Sequence, residues 1–250
     1  MFDYKDKDVV LSLKNVRQYF SSGFGKRKVV VKAVHNVSFD IYKGEVFGLV
    51  GESGCGKTTT GRSIIKLYNI TDGDIFFNGV RISGGFRSHI QRIKDARKAI
   101  KQKKAEAKAM IAEIKSESFA QNENNIDNEV INQDINKVEE ELKKFIEEQE
   151  AIIAKERNEI AQKKKDNKAN KKLMNKMAMI FQDPIDSLNP RMTVREIIAE
   201  GMVIQGIKDK EYIDQKVKEA LKLVGLVDEH ATRYPHEFSG GQRQRIGIAR

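Results

Sequence analysis

The stretch "GESGCGKTT", Gly51 to Thr59, decides how the rest of the chain is read. It fits the spacing G-x-x-x-x-G-K-[ST], and each fixed position has a chemical reason. Gly51, Gly54 and Gly56 let the backbone turn tightly enough to aim successive N–H groups at phosphate oxygens. Lys57 places an ammonium where the β- and γ-phosphates of a nucleotide would lie, and the Thr58 hydroxyl is a ligand for Mg²⁺. Glu52, Ser53, Cys55 and Thr59 complete the cradle. Cys55 reads as a small residue at a variable loop position rather than as a redox sensor. The preceding "EVFGLVG" is a continuous apolar run, expected to be a strand buried on both faces. A helix is expected to begin near Lys57, its N-terminal dipole adding to the attraction for an anion.

Outward from this loop the chain falls into three blocks. Residues 1–85 read as β-rich. "VVLSLKNV" alternates, with Val10, Ser12 and Lys14 on one face and Val9, Leu11 and Leu13 on the other. "VKAVHNVSFDI" repeats the pattern, and "GDIFFNGV" adds a strand closed by an Asn-Gly turn. Residues 86–173 are charged and sparse in apolar residues. Ile90, Ile93, Ile100, Ala107, Ile111 and Ile114 form one ladder, interrupted by Arg97 and Lys104; Ile131, Ile135, Val138, Leu142, Phe145 and Ile152 form a second. The spacing predicts an antiparallel, coiled-coil-like helical hairpin. Ile93, Ile100 and Ile111 are expected to face Ile135, Leu142 and Phe145, helped by attraction between a basic first arm and an acidic second one. Residues 174–250 return to globular character. "KMAMIFQDP" reads as a buried strand, and "TVREIIAEGMVIQG" and "KEYIDQKVKEALKLVGL" read as helices, the second closed by Gly225 as a C-cap glycine.

Composition sets the bounds. The 250 residues allow one sizeable domain with an insertion, and the net charge of +10 admits polyphosphate, nucleic acid or acidic lipid as partners. A single cysteine excludes an intramolecular disulfide. The start "MFDYKDKDVV" is too charged for a signal peptide, and no apolar run approaches the ~20 residues of a membrane span. A soluble intracellular chain is expected.

Three further motifs stand around the phosphate loop in an order that resembles an ABC-type ATPase. "FSGGQRQR" is similar to the signature motif of that family, "IFQDP" to its Q-loop, and "VRQYF" to its adenine-stacking loop. The resemblance implies ATP and Mg²⁺ as cofactors. It implies that Ser239, Gly240, Gly241 and Gln242 contact the γ-phosphate of a nucleotide held by a second subunit. It makes Gln182 a contact for Mg²⁺ and the attacking water, and Phe20 the adenine platform, with Tyr19 as the alternative. The implied fold is an α/β P-loop ATPase core with a parallel sheet, an antiparallel β region and a helical signature subdomain. The wording of "LVGESGCGKTT", "FQDPIDSLNPRMTV" and "RYPHEFSGGQRQRIGIAR" is similar to the ATP-binding subunits of oligopeptide/dipeptide importers. That likeness implies an ATPase peripheral to the cytoplasmic face of the cell membrane. Its implied partners are a second ABC ATPase subunit (identical or related), membrane-spanning permease subunits that meet "DPIDSLNPRMTV", and indirectly a solute-binding protein.

The chain departs from the family's pattern in two places. The charged block 86–173 has no counterpart there. The family's later elements, a strand ending in Asp-Glu, the D-loop and the switch histidine, are not found, and His236 stands on the wrong side of the signature to replace the last. The 250 residues are therefore expected to be part of a longer chain or an early-terminated product, able to bind ATP without turning it over. Two other readings stay open: a soluble ABC protein acting on RNA or the ribosome through its basic arm, and a catalytically silent nucleotide-binding regulator. Nucleic acid is a partner only under the first. Joining Gly85 to Met174 is expected to leave ATP binding near normal, because no phosphate-contacting residue lies between them.

Overall fold

The computed structural model describes residues 8–23, 27, 29–120, 128–169, 171–174, 176–180 and 187–250. The chain divides into two compact units, residues 1–177 and 178–250. In the first, β1 (Val9–Ser22), β2 (Val29–Tyr42), β3 (Asp72–Phe77) and β4 (Val80–Gly84) form one antiparallel sheet in the order β2-β1-β3-β4. Helix α1 (Lys57–Ile64) lies between β2 and β3, and α2 (Arg87–Ala120), α3 (Asn128–Ala169) and the single turn α4 (Lys171–Met174) follow β4. The alternation read in β1 holds in part: Leu11 and Leu13 are buried in one cluster with Val16, Ile75, Phe77 and Ile82. Val9 is exposed, Val10 packs against that cluster and Ser12 is buried, in a strand whose pairing shifts between Val9 and Leu11 and between Leu13 and Val16. The Asn-Gly turn is present as Asn78 (φ 48°) and Gly79 (φ 75°), the two positive-φ residues that a tight hairpin requires.

Two strand expectations fail. Residues 45–50 form no strand, and Val46 and Val50 are 99% and 91% exposed. Residues 177–180 likewise form none, with Ile180 65% exposed, while Phe181 to Asp186 lie outside the described residues. An apolar run becomes a strand only when a neighbour satisfies its N–H and C=O groups. No such neighbour exists among the described residues, whose only sheet is the antiparallel one.

The helical hairpin is formed, but its seam differs from the sequence reading. Ile93 packs with Ala96 and Ile153, flanked by Ile100 and Ile160, so its partners lie nearer the base of α3 than Ile135, Leu142 and Phe145. Arg97 and Lys104 do not interrupt the seam: both are exposed, and Ala96 and Ala107 are buried in it instead. Ile152 is exposed and its neighbour Ile153 buried.

Polar anchors hold the base of the hairpin. Buried Glu156 accepts two hydrogen bonds from the Arg92 guanidinium, Nε to Oε1 at 2.7 Å and Nη2 to Oε2 at 2.9 Å, and meets His89 Nδ1 at 2.5 Å. The Arg92 hydrogen bonds, with His89 behind them, hold its carboxyl at about 2, against an ordinary 4.5. Buried Lys163 donates to Gly85 O (3.0 Å) and pairs with Asp74 (3.0 Å). The Asn167 amide accepts from Gly84 N–H (2.8 Å) and donates to Gly84 O (3.0 Å), so a side chain of α3 satisfies both backbone groups of a residue on the edge strand β4. Lys66, just beyond α1, donates to Asn167 O at 2.9 Å.

A carboxylate whose pKa is depressed on folding stabilises the fold above its unfolded value and loses that contribution as the pH falls through the folded one. Thermal unfolding followed by circular dichroism should therefore show Glu156-dependent stability fully present above pH 4.5 and lost as the pH falls toward about 2. Glu156→Gln should cost about 1–3 kcal/mol at neutral pH and flatten the curve in that acid window. An unchanged acid limb in the variant would show that the contact carries no stability.

The second unit is helical: α5 (Val194–Ile204), α6 (Lys210–Leu223), two short 3₁₀ turns and α7 (Gly240–Ala249). Thr193 and Glu196 form a capping box that starts α5, and Asp209 caps α6. The α6 stripe read from the sequence buries Ile213, Val217 and Leu221 against Val194, Ile197, Phe238 and Ile246. Gly225, at φ 69°, closes the helix as expected, with Leu226 N–H returning to Leu221 O at 2.9 Å.

Candidate functional site

The phosphate loop runs from Gly51 into α1, whose N-cap is Gly56. Gly56 has φ 98°, and a Cβ there would stand 2.2 Å from the backbone oxygen of Ala33 in β2. Only glycine meets both conditions, so β2 forms the floor on which the loop turns. The Cys55 N–H turns back to Glu52 O (3.3 Å), whereas among the described residues the N–H groups of Gly56, Lys57 and Thr58 meet no acceptor. No acidic residue sits in the first turn of α1. The helix terminus therefore presents unpaired donors and an uncompensated positive dipole end. Lys57 Nζ reaches across the loop and donates to Gly51 O (2.7 Å) and Glu52 O (2.6 Å). Thr58 is exposed, Thr59 is half-buried, and Glu52, Ser53, Gly54 and Cys55 lie on the exposed rim. Behind them, Thr60 and Ser63 are buried and bond back to Gly56 O (3.0 Å) and Thr59 O (2.8 Å), fixing the first turn.

Strand register separates the two aromatic alternatives. Gln18 pairs with Val34, and Val34 is the side chain that a Cβ on Gly56 would approach at 3.6 Å. Phe20, two residues on, shares the face of Gln18. Its ring meets Tyr68, just beyond α1, edge-on at 5.2 Å. Tyr19 points to the opposite face, where the Arg87 guanidinium covers its ring at 5.3 Å and its hydroxyl contacts His35. The exposed Phe20 is thus on the side of the phosphate loop and Tyr19 is not. Sequence reading missed Ala33, Val34 and Gln18 as the floor of the site, since alternating β-residues carry no mark of what rests on them.

In the second unit Ser239 caps α7. Its Oγ accepts from Gln242 N–H (3.3 Å), and Gln242 Oε1 accepts from Ser239 N–H (3.0 Å). Gly240 and Gly241 are the first two helical residues, and a Cβ on Gly241 would meet nothing within 4 Å. The chain's own packing does not require a glycine there. Gln182 lies outside the described residues. Among the described residues no cluster of three or more His, Cys, Asp or Glu is placed to hold a metal ion, and no helix is long and apolar enough to cross a membrane.

Comparison with known proteins agrees with this geometry. The Oligopeptide transport ATP-binding protein OppF of Bacillus subtilis is 40% identical over 245 residues, covering 96% of this chain and 52% of that protein. The Dipeptide transport ATP-binding protein DppF of Lactococcus lactis is 39% identical over 244 residues, covering 96% and 52%. The chain spans about half the length of the curated relatives it matches. Two dimeric structures of the ATP-binding cassette MJ0796, one bound to ADP and Pi, share the fold with TM-scores of 0.52 and 0.53 at 19% identity, over 96% of this chain and 67% of theirs. The family model described as ABC transporter matches residues 34–152 and 142–250. With a phosphate loop that turns at Gly56 on the floor of β2 in one unit and a serine-capped helix opening on two glycines in the other, the chain belongs to the ABC transporter family.

Proposed function

We propose that this chain is the nucleotide-binding portion of an ATPase subunit that drives import of oligopeptides or dipeptides. The observation that carries the reading is the phosphate loop: unpaired helix-terminal N–H groups, an ammonium within the loop and no acid in the first turn. The peptide class rests on the relatives, which are named for oligopeptide and dipeptide transport. Gly51 to Thr59 cradle the phosphates, Lys57 neutralises their charge, and Phe20 stacks on the adenine. The residues present fit Mg²⁺ as it is usually held, by substrate phosphates, water and few protein groups. The exposed Thr58 hydroxyl would hold it, together with Gln182. When bound, the ion offsets charge between the β- and γ-phosphates. Ser239, Gly240, Gly241 and Gln242 serve the nucleotide of a second ATPase subunit, identical or related, because Gly241 opens outward. Permease subunits meet residues 183–194, and the protein sits on the cytoplasmic face of the membrane. Because the chain spans about half of its relatives, hydrolysis and import are proposed for the whole protein. No observation favours the RNA-directed reading.

The test is nucleotide titration of the chain with and without Mg²⁺, and peptide uptake by the whole protein reconstituted with its permease. Gln182→Ala in the whole protein should slow ATP turnover and uncouple it from uptake while leaving nucleotide affinity near the parent's. A collapse of affinity in that variant would make Gln182 a simple binding residue rather than one that couples turnover to uptake. Absence of ATP binding by the parent chain would remove the proposal itself.

A further inference from the structure

The hairpin carries two opposite charge stripes between which no ion pair is formed among the described residues. On α2, Lys94, Arg97, Lys98, Lys101, Lys104 and Lys108 follow one another at intervals of one to four residues, and all are exposed. On α3, Glu139, Glu140, Glu147 and Glu150 form a second exposed stripe, with Lys143 and Lys144 as the cations between them. Residues 94–108 hold seven Lys or Arg against two acids, and residues 139–150 hold six Glu against two Lys. No ion pair joins these two segments; Lys103 pairs only with Glu106 of its own helix, at 3.9 Å.

Their placement follows from the seam. Most stripe residues stand one position after a buried or half-buried residue: Lys94 after Ile93, Arg97 after Ala96, Lys101 after Ile100, Lys108 after Ala107, Glu139 after Val138, Lys143 after Leu142, Glu147 after Ile146 and Glu150 after Gln149; Lys98 and Glu140 stand one position further round. One residue is a rotation of about 100° in the same sense in both helices. In an antiparallel pair, equal rotations bring both stripes onto the same broad face. The Arg92–Glu156 contact fixes the level: counting outward from it, residue 98 stands beside 150 and residue 108 beside 140. The face is therefore basic along one edge and acidic along the other.

We infer that this face docks onto the same face of a second copy of the chain, with the two arms parallel. A two-fold axis along the arm lays the basic stripe of each copy on the acidic stripe of the other, and does so twice, as an isologous contact must. A uniformly anionic partner would meet the glutamate edge as a repulsion, whereas the face is complementary to itself.

The experiment is sedimentation equilibrium of the full 250-residue chain without nucleotide, so that its outcome is independent of the reading of the phosphate loop. Self-association should be measurable at about 50 mM salt and weaken roughly tenfold or more by about 0.5 M, since exposed pairs are screened. The variant Lys94→Glu, Arg97→Glu, Lys98→Glu, Lys101→Glu turns most of the basic stripe acidic, and Glu139→Lys, Glu140→Lys, Glu147→Lys, Glu150→Lys turns the acidic stripe basic. Each alone should be monomeric, and an equimolar mixture should form a one-to-one dimer. Should either quadruple variant lose helicity, the pairs Lys98→Glu, Lys101→Glu and Glu147→Lys, Glu150→Lys decide by the same criterion. Undiminished self-association of either variant, or a mixture that stays monomeric, overturns the proposal. So does a parent chain that is monomeric at low salt, including one that binds phosphatidylglycerol vesicles or duplex RNA instead.

Discussion

Gly56→Ala should abolish useful ATP binding, lowering affinity roughly 100-fold and destabilising the first unit by about 3 kcal/mol or more. Two independent costs add at this position. The φ of 98° lies where an L-side chain is strained, and the new Cβ would stand 2.2 Å from a main-chain oxygen of β2 that cannot rotate away. Either the start of α1 lifts from β2 or β2 moves, and in both cases the unpaired N–H groups lose their common aim. Gly54 supplies the control. It also has positive φ, 80°, but a Cβ there meets nothing within 4 Å. Gly54→Ala should cost only the local strain, about 1–2 kcal/mol. Isothermal titration with ATP and thermal unfolding of both variants separate the two effects. Equal behaviour of the pair would show that the contact with Ala33 does not matter.

Lys57→Ala should weaken ATP binding by roughly ten- to a hundredfold, the loss expected when a charged hydrogen-bond donor is withdrawn from phosphate. The ammonium now rests on Gly51 O and Glu52 O, two neutral acceptors at the loop's exposed rim. Exchanging them for phosphate oxygens gains charge pairing at little cost, because both carbonyls can turn to water. The effect should depend on ligand length. ATP and ADP should lose affinity, and AMP, which ends before the lysine's reach, should change little. Competition titration with the three nucleotides checks this. Equal losses for all three would mean that Lys57 shapes the loop rather than binding the distal phosphates.

The sequence made the loop, its helix and the Asn78-Gly79 hairpin legible because each is specified within a few residues by glycine conformation or by capping. The helices α5 and α6 were legible as helices, and the buried face of α6 at Ile213, Val217 and Leu221 follows amphipathic spacing. What failed failed for lack of neighbours. Val46, Val50 and Ile180 read as buried strand residues on hydrophobicity alone, yet burial belongs to a pair of strands, and no mate is present among the described residues. In the hairpin, counting isoleucines led to Ile152, whereas the seam uses small and even charged positions: Ala96, Ala107, Glu156 and Lys163. A buried glutamate cannot be told from a solvated one in a sequence until its Arg92 is found sixty-four residues away. Which face each of Phe20 and Tyr19 occupies likewise needed the structure, which places the Phe20 ring against Tyr68 and the Tyr19 ring under Arg87.

The grip of Asn167 on Gly84 bears on what the chain would become without its arm. Strand β4 ends the sheet order, and the amide of Asn167 occupies the hydrogen-bonding groups that Gly84 would otherwise hold out to solvent. Sheet edges left open in this way are templates for pairing with other molecules. Joining Gly85 to Met174 would strip this cover and take Lys163 from Asp74. The shortened chain should accordingly hold the backbone groups of Gly84 open at the sheet edge, where pairing with another strand can begin.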